Sequence, residues 1–305
     1  IENLNEAKKV SEKIGYPIII KSTNGGGGRG IKIVKNENEL KKNLELAKKE
    51  AEQSFGNNEV YIEKYIQNPR HIEIQIIGDK FGNIIHLGER ECSIQRRNQK
   101  IVEECPSPAI TENERKKICN LTLEAMNKIK YFNLGTVEYL YKDGNFYFIE
   151  MNTRLQVEHT ITEQVYNIDI VKEQINISSG KKISVKQNDI KKNGHSIEFR
   201  INAENPITLL PSTGIVKTYH PPGGPGIRID SSLYNGCNIN SFYDGLISKI
   251  ISTGNDRMEC IMRLKRALNE YVIEGVQTNI PILKKILDNN QFINGNFHIN
   301  WIDKL

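Results

Sequence analysis

Two glutamates and one asparagine fall at a spacing that suits a metal site. The segments 136–141 and 146–151 alternate around a short polar turn, which predicts a β-hairpin. In that hairpin Glu138 and Glu150 fall nearly opposite each other, and Asn152 shares the face of Glu150. Like charges across a strand pair are destabilising, so something must offset them. Converging oxygen ligands suit Mg²⁺. The alternative is two exposed carboxylates on a solvated sheet face.

The next residues along the chain could bind a small anion. Arg154, Gln156 and Glu158 alternate after the hairpin. An arginine fork beside an amide and a carboxylate could clamp a planar anion, and Glu158 could act as a general base. The alternative is an exposed strand whose charges pair with each other.

A glycine-rich segment could cover phosphates. Residues Gly25–Gly30 match G-x-G-x-x-G, but a strand and not a helix is predicted directly after them, at Ile31–Val34. That order excludes the dinucleotide-binding motif, and the lack of Gly-Lys-Ser/Thr excludes a Walker A loop. A strand–loop–strand flap remains, whose backbone N–H groups could lie over phosphates, with Lys21 as a charge beside it. The alternative is a mobile surface turn.

For the other charged and nucleophilic residues, spacing alone indicates no function. The basic run Arg96–Lys100 is interpreted as solvated, and the acidic residues on either side argue against nucleic-acid binding. Arg200 lies on an alternating strand. The five cysteines form no C-x-x-C pair and are interpreted as packing residues in a reducing, cytoplasmic protein.

Composition restricts the class of protein. The 305 residues are 38% hydrophobic and 26% charged, as in an ordinary globular chain, and the net charge of +5 is a weak excess. No run of eighteen apolar residues predicts a membrane span, and no signal peptide is recognisable. Because residue 1 is Ile, we expect the chain to begin inside a longer gene product.

Hydrophobic periodicity predicts the helices and strands that carry the candidate site residues. It predicts helices over 5–14, 37–55, 112–130, 168–179, 257–271 and 280–288, with Thr111 and Glu114 forming a capping box. Besides the hairpin, it predicts strands over 17–22, 31–34, 60–65, 71–77 and 84–89, and mostly short strands from His195 onward.

Long motifs resemble one family. Lys21–Gly30, Glu63–Ile66, Glu91–Lys100, Phe148–His159 and Arg200–Pro206 resemble biotin carboxylase, an ATP-grasp enzyme, and Pro221–Gly226 and Tyr243–Asp244 extend the resemblance to the C-terminal part. The resemblance implies an α+β, ATP-grasp fold with a lid (1–66), a core (67–190) and a mostly β C-terminal subdomain (191–305).

The resemblance also implies a reaction and partners. The expected activity is ATP- and bicarbonate-dependent carboxylation of biotin on a biotin carboxyl carrier protein, with two Mg²⁺ or Mn²⁺, as a homodimer beside carboxyltransferase subunits. No nucleic-acid or membrane partner is expected. An acetyl-CoA carboxylase is favoured. The alternatives are the matching domain of propionyl-CoA or pyruvate carboxylase, and a non-catalytic fragment that only docks the carrier or a sister subunit.

Site residues carried over from the family form four sets. The expected ATP contacts are Lys21, Gly27, Gly28, Glu63, Lys64, Tyr65, Ile66, His71, Gln95, Asn98, Glu138, Leu140 and Glu150. The metal ligands would be Glu138, Glu150 and Asn152. Bicarbonate would contact Lys100, Arg154, Gln156, Val157 and Glu158. Catalysis would use Lys100, Arg154, Glu158 as base, and Arg200 on biotin.

Three departures from the family pattern stand out. The family's N-terminal nucleotide-fold domain would precede Ile1, Asn98 stands where many members have His, and Thr160 replaces the usual Pro. The first departure makes independent activity of this chain the open point.

Overall fold

The computed structural model describes residues 1–25 and 30–305, so Gly27 and Gly28 of the predicted flap lie outside the described residues. The chain forms two compact units, Ile1–Gln67 and Asn68–Leu305.

The first unit is a small sheet covered by two helices. Its elements are α1 (Leu4–Ile14), β1 (Ile18–Ser22), β2 (Ile31–Val34), α2 (Glu37–Phe55) and β3 (Val60–Lys64). The antiparallel strand order is β2-β1-β3. On α2, buried Leu40, Leu44 and Ala47 recur at helical spacing and pack on Ile18 and Ile20 of β1. Both predicted helices and all three predicted strands of this unit are confirmed.

The second unit is organised by one large sheet. Its strands are β4 (Arg70–Gly78), β5 (Ile84–Arg96), β6 (Gln99–Cys105), β7 (Asn133–Lys142), β8 (Asn145–Asn152), β9 (His195–Asn202), β10 (Gly214–Ile215), β11 (Thr218–His220), β12 (Ile227–Ser231), β13 (Asn238–Ile239), β14 (Leu246–Gly254) and β15 (Val272–Glu274). Eight of them form an antiparallel sheet in the order β12-β14-β9-β6-β5-β4-β7-β8. The sheet continues across residue 190, where the core was predicted to end, and that domain boundary stays a prediction.

The helices of the second unit pack on both faces of this sheet. They are α3 (Glu112–Lys128), α4 (His159–Tyr166), α5 (Ile170–Ser178), α6 (Arg257–Glu270), α7 (Ile280–Asp288) and α8 (Asn290–Ile293), with short 3₁₀ turns at Gln187–Asp189 and Ile302–Lys304. The predicted capping box at the start of α3 is confirmed. Helix α4 was not predicted.

Alternation along the strands separates an apolar face from a charged one. On β4, Ile74 and Ile76 pack under α3, and on β9, Ile197 and Phe199 pack under α6. The intervening residues point to the opposite face, where α4 packs. Strand β4 is buried along nearly its whole length because both faces are covered. The charged face therefore lies inside the protein.

Candidate active site

A row of charged residues crosses the sheet on this face. Glu73 of β4 lies opposite Arg90 of β5 and Glu138 of β7, and Glu138 lies opposite Glu150 of β8. The pairing of Glu138 with Glu150 confirms the predicted hairpin register. Such a concentration of charge inside a sheet needs internal ion pairs or external ligands to balance it.

Lys100 lies at the centre of the site. Its Nζ contacts Glu73 Oε2 at 2.6 Å, Glu138 Oε1 at 3.0 Å and Glu158 Oε1 at 2.6 Å. Burial lowers the pKa of Lys100, but Glu73, Glu158 and Glu138 outweigh it, so the pKa is raised well above its usual value. The side chain is only 12% exposed. The interpretation of the basic run as solvated is therefore wrong at Lys100, because three carboxylates replace water around its ammonium group.

Glu158 is held as a carboxylate between two cations. Lys100 contacts one of its oxygens, and Arg200 Nη2 lies 3.0 Å from the other. Burial and the nearby Glu73 raise the pKa of Glu158, but Lys100 and Arg200 outweigh them and the pKa is lowered. An ionised, buried carboxylate is a ready proton acceptor for a substrate that displaces one of its cations.

Arg200 of β9 is anchored from behind. Its Nε donates to Glu103 Oε1 at 2.6 Å, and its carbonyl oxygen accepts from Asn279 Nδ2 at 2.9 Å. Arg200, Glu158 and Lys100 are far apart in the sequence; the pairing of β9 with β6 brings Arg200 near Lys100, and Glu158 reaches them from the start of α4. The structure thus gathers three of the four predicted catalytic residues into one cluster.

The fourth predicted catalytic residue, Arg154, lies apart from that buried cluster. It is exposed, and its guanidinium donates to Asn152 Oδ1 at 3.3 Å and to the Leu155 carbonyl at 3.2 Å. Gln156 and Glu158 are buried in the turn before α4. The alternative of an exposed strand over these residues is wrong, because the chain leaves the sheet after β8 and folds inward.

Arg90 is a site residue that sequence reasoning missed. It is completely buried and donates to Glu73, to Gln75 Oε1 at 2.6 Å and to Gln156 Oε1 at 2.7 Å. Gln156 in turn donates to Glu138 Oε1 at 2.9 Å. This network sets the orientation of the Gln156 amide, so Arg90 is a positioning residue. Glu73 was missed too. The one available signal was the charge alternation along β4 and β5.

The predicted metal ligands form an oxygen-rich edge. Glu138 Oε1 accepts from Asn152 Nδ2 at 3.0 Å, and Glu150 is exposed with no ion-pair partner in the described part of the chain. Burial raises the pKa of Glu138, but His71 and Lys100 outweigh it and the pKa is lowered. Two carboxylates and an amide oxygen fit a hard cation such as Mg²⁺.

The predicted ATP contacts of the second unit adjoin this edge. His71 Nε2 lies 3.1 Å from Glu138 Oε2, and Gln95 Nε2 lies 2.9 Å from His71 Nδ1. Leu140 faces His71 across β4 and β7. Asn98 lies in the β5–β6 turn with a positive φ of 63°, a conformation that asparagine tolerates better than most residues.

The predicted ATP contacts of the first unit that the structure describes lie on β1 and on and after β3. Lys21 forms an ion pair with Glu63. Lys64 Nζ donates to the Gly15 carbonyl at 2.7 Å, and the Tyr65 N–H donates to the Pro17 carbonyl at 3.2 Å. Ile66 follows in a partly buried loop.

Comparison with known proteins decides the family. Residues 1–186 match the carbamoyl-phosphate synthase L chain ATP-binding domain, and residues 198–304 match the biotin carboxylase C-terminal domain. Biotin carboxylase 1 of Bacillus subtilis is 48% identical over 99% of this chain and 68% of the relative. This chain belongs to the biotin carboxylase family. It spans about two thirds of the length of such relatives.

Members that serve different acceptors are equally similar. A pyruvate carboxylase subunit from Methanothermobacter thermautotrophicus is 49% identical over 100% of this chain and 62% of the relative. The biotin carboxylase domain dimer of Hydrogenobacter thermophilus 2-oxoglutarate carboxylase was solved with MgADP, ADP and bicarbonate. It matches with a TM-score of 0.95 and 46% identity, over 99% of this chain and 67% of that one. The predicted α+β ATP-grasp fold is confirmed.

Two general expectations about this biotin carboxylase chain can also be compared with the structure. All five cysteines are free, and four of them are buried, as packing residues would be. Among the described helices, none combines the length and the apolarity that crossing a membrane requires.

Proposed function

We propose that this chain carboxylates biotin on a biotin carboxyl carrier protein, using ATP and bicarbonate. The observation that carries the proposal is the buried Glu158 carboxylate, with its two oxygens contacted by Lys100 and Arg200. A base that removes the bicarbonate proton needs a low enough pKa to be ionised, and cations beside it would hold the resulting dianion. The relatives' names and the bound ADP, magnesium and bicarbonate of the Hydrogenobacter structure support this assignment.

The proposed first step uses Glu158, Lys100 and Gln156. Bicarbonate lies against Lys100, Arg154, Gln156 and the Val157 backbone, and Glu158 takes its proton. The freed oxygen attacks the γ-phosphorus of ATP, the bond from phosphorus to the bridging oxygen breaks, and ADP leaves. Glu138, Glu150 and Asn152 would hold Mg²⁺, which when bound neutralises charge on the phosphates.

The proposed second step uses Arg200. Carboxyphosphate separates into CO₂ and phosphate, and the phosphate takes the N–H proton of the biotin ureido group. The biotin nitrogen then attacks CO₂. Arg200 stabilises the negative oxygen that develops on the ureido group, as a preorganised cation that needs no rearrangement.

ATP contacts are proposed in each of the two units. Lys21, Glu63–Ile66 and the Gly27–Gly28 backbone of the first unit, and His71, Gln95, Asn98 and Leu140 of the second, are the proposed contacts. Their support is the family resemblance together with the match of residues 1–186 to an ATP-binding domain.

The proposed acceptor system is acetyl-CoA carboxylase, with a carboxyltransferase as partner and a homodimeric, cytoplasmic biotin carboxylase. Support comes from the Asn202–Pro206 and Pro221–Gly226 motifs. Incorporation of labelled bicarbonate into acetyl-CoA, propionyl-CoA or pyruvate by the complex isolated from cells would measure it. Preference for either of the last two would replace this acceptor assignment.

Glu158→Gln tests the proposed activity. The amide keeps the size of the side chain but accepts no proton, so bicarbonate-dependent ATP hydrolysis should fall at least a hundredfold, the size of a general-base contribution (roughly 10²–10⁴). Glu173→Gln in α5 is the matched control, because Glu173 is a buried carboxylate that accepts from Ser184 outside the site. Unchanged hydrolysis in Glu158→Gln would refute Glu158 as the base. Hydrolysis without bicarbonate dependence in the parent protein would refute the proposed activity.

A further inference from the structure

Two buried glutamates lie face to face behind Arg200. Glu103 of β6 and Glu198 of β9 are directly opposite in the sheet register, and neither side chain is accessible to solvent. Glu103 Oε1 accepts from Arg200, and Glu198 Oε2 accepts from Thr160 Oγ1. The second oxygen of each, Glu103 Oε2 and Glu198 Oε1, has no hydrogen-bond partner among the described residues. Directly opposed side chains on antiparallel strands have Cβ atoms about 4.5–5.5 Å apart.

Neither carboxylate has a cation to itself. Arg200 is shared between Glu103 and Glu158. Lys249 of β14 lies 3.7 Å from both Glu198 and Asp230 of β12, and its shortest polar contact, 2.7 Å, is to the Val157 carbonyl. Two ionised carboxylates at this site would therefore leave a negative charge uncompensated in a buried position, which is strongly unfavourable.

A single proton shared by the two carboxyl groups removes both the uncompensated negative charge and the two unpartnered oxygen atoms. A hydroxyl on one carboxyl can donate to the unpartnered oxygen of the other, so a single hydrogen bond satisfies two orphaned atoms. Opposed carboxylates that share a site ordinarily behave in this way, with one pKa strongly raised. Glu158 acts on both glutamates, and a further titratable group near Glu103 is the Cys92 thiol of β5. Burial raises the pKa of that thiol well above its usual value, so it stays neutral.

We propose that Glu103 and Glu198 share one proton at neutral pH and that this acid–carboxylate pair is a positioning element for Arg200. With one proton present, the pair gives Arg200 a firm hydrogen-bond acceptor while carrying a single negative charge. With both groups ionised, Glu103, Glu198 and Glu158 together would cancel the positive charge that Arg200 offers to a developing anion. The catalytic consequence rests on the proposed function, whereas the shared proton itself does not.

The pKa shifts of the two glutamates have the direction that this geometry predicts. Burial is the main cause of the raised pKa of Glu103. The nearby Glu198 and Glu158 raise this pKa further and Arg200 lowers it, and the result is a pKa of about 8. The pKa of Glu198 is raised as well, chiefly by burial, against the opposing influence of Lys249.

Infrared spectroscopy of protein carrying ¹³C-labelled glutamate tests the shared proton without any turnover. At neutral pH we expect a protonated-carboxyl C=O band that disappears as the pH rises through about 8. Either Glu103→Gln or Glu198→Gln should remove it. Because the substitution removes one of the two carboxylates, the remaining one ionises and accepts a hydrogen bond from the amide of the introduced glutamine. Glu173→Gln is the control and should keep the band. No such band, or a band that survives either substitution, would overturn the proposal.

The pH profile of biotin carboxylation tests the positioning role. In the parent protein the rate should fall tenfold for each pH unit above about 8, as the pair loses its proton. In Glu103→Gln, whose amide cannot ionise, that alkaline limb should vanish while the KM for ATP stays unchanged. An alkaline limb that persists in Glu103→Gln would refute the positioning role. Absence of carboxylation in the parent protein would refute the proposed function and leave the infrared result intact.

Discussion

Glu103 and Glu104 are neighbours on β6 that point to opposite faces of the same sheet, and their environments differ sharply. Glu104 accepts from Arg257 Nε at 2.6 Å and lies 2.8 Å from His195 Nε2. Those partners outweigh burial and lower the pKa of Glu104 to about 2. Glu103 shares Arg200 with another carboxylate and faces a third, and its pKa is raised to about 8. Both glutamates are completely buried.

The comparison distinguishes charged residues that stabilise the fold, on the Glu104 face, from charged residues of the candidate active site, on the Glu103 face. On the Glu104 face, the Arg257 guanidinium also donates to the Phe292 and Ile293 carbonyls, so Glu104 has partners of its own and the arrangement ties α6 to α8. On the Glu103 face, the cations are shared among too many carboxylates. An incompletely balanced cluster of this kind is typical of sites that bind charged ligands or move protons.

Glu150→Gln should have the largest effect on activity. Glu150 is exposed and has no ion-pair partner in the described chain, so its removal should leave the free energy of unfolding within about 0.5 kcal/mol of the parent value. If it holds Mg²⁺, ATP turnover should be abolished. Steady-state hydrolysis against Mg²⁺ concentration, with urea denaturation, measures both quantities. Asp143→Asn at the exposed tip of the same hairpin is the control. Normal Mg²⁺-dependent turnover in Glu150→Gln would remove Glu150 from the metal site.

Arg200→Ala should lower biotin carboxylation next most strongly. The loss of one preorganised donor at a developing oxyanion costs roughly 3–4 kcal/mol, or roughly 10²–10³ in rate. Bicarbonate-dependent ATP hydrolysis without biotin should fall much less, because Lys100 still contacts Glu158 at 2.6 Å. The two rates, measured on one preparation, test this difference.

Arg257→Ala is the matched control on the opposite face. It should lower the free energy of unfolding, because buried Glu104 loses its main partner, while the ratio of the two rates stays unchanged. Equal losses of carboxylation and hydrolysis in Arg200→Ala would place Arg200 in the bicarbonate site beside Arg154.

The two glutamates should make smaller, opposite contributions to the pH dependence of stability. The pKa of Glu104 is below its usual 4.5, so its contribution is present above about 4.5 and is lost as the pH falls toward about 2, roughly 3 kcal/mol in total. The pKa of Glu103 is raised, so its contribution is present below about 4.5 and is lost as the pH rises through about 8. Urea denaturation across pH should show the acid decline flattened in Glu104→Gln and the alkaline decline flattened in Glu103→Gln. The same slopes in both variants would contradict the comparison.

Local features of the fold could be predicted because their causes are local. The capping box of Thr111 and Glu114 depends on residues three apart. Glu138 and Glu150 lie opposite each other because the hairpin turn is short and successive side chains of a strand point to opposite faces of the sheet. Helix α4 and strand β6 were missed. The first follows directly on a segment whose alternation suggests a strand, and the second begins in a basic run that suggests a loop.

By itself, the sequence determined the type of each element with a clear period, the facing carboxylates of the hairpin, and the family through its long motifs. Only the tertiary structure decided which charges meet. Lys100 and Arg200 come together because β9 pairs with β6, and Glu158 joins them from the start of α4. No spacing along the chain encodes these neighbours. The roles of Arg90, Glu73 and Glu103 depend on burial and on partners distant in the sequence. Whether a glutamate there is ionised depends on the dielectric and the charges around it, which exist only after the sheet has formed.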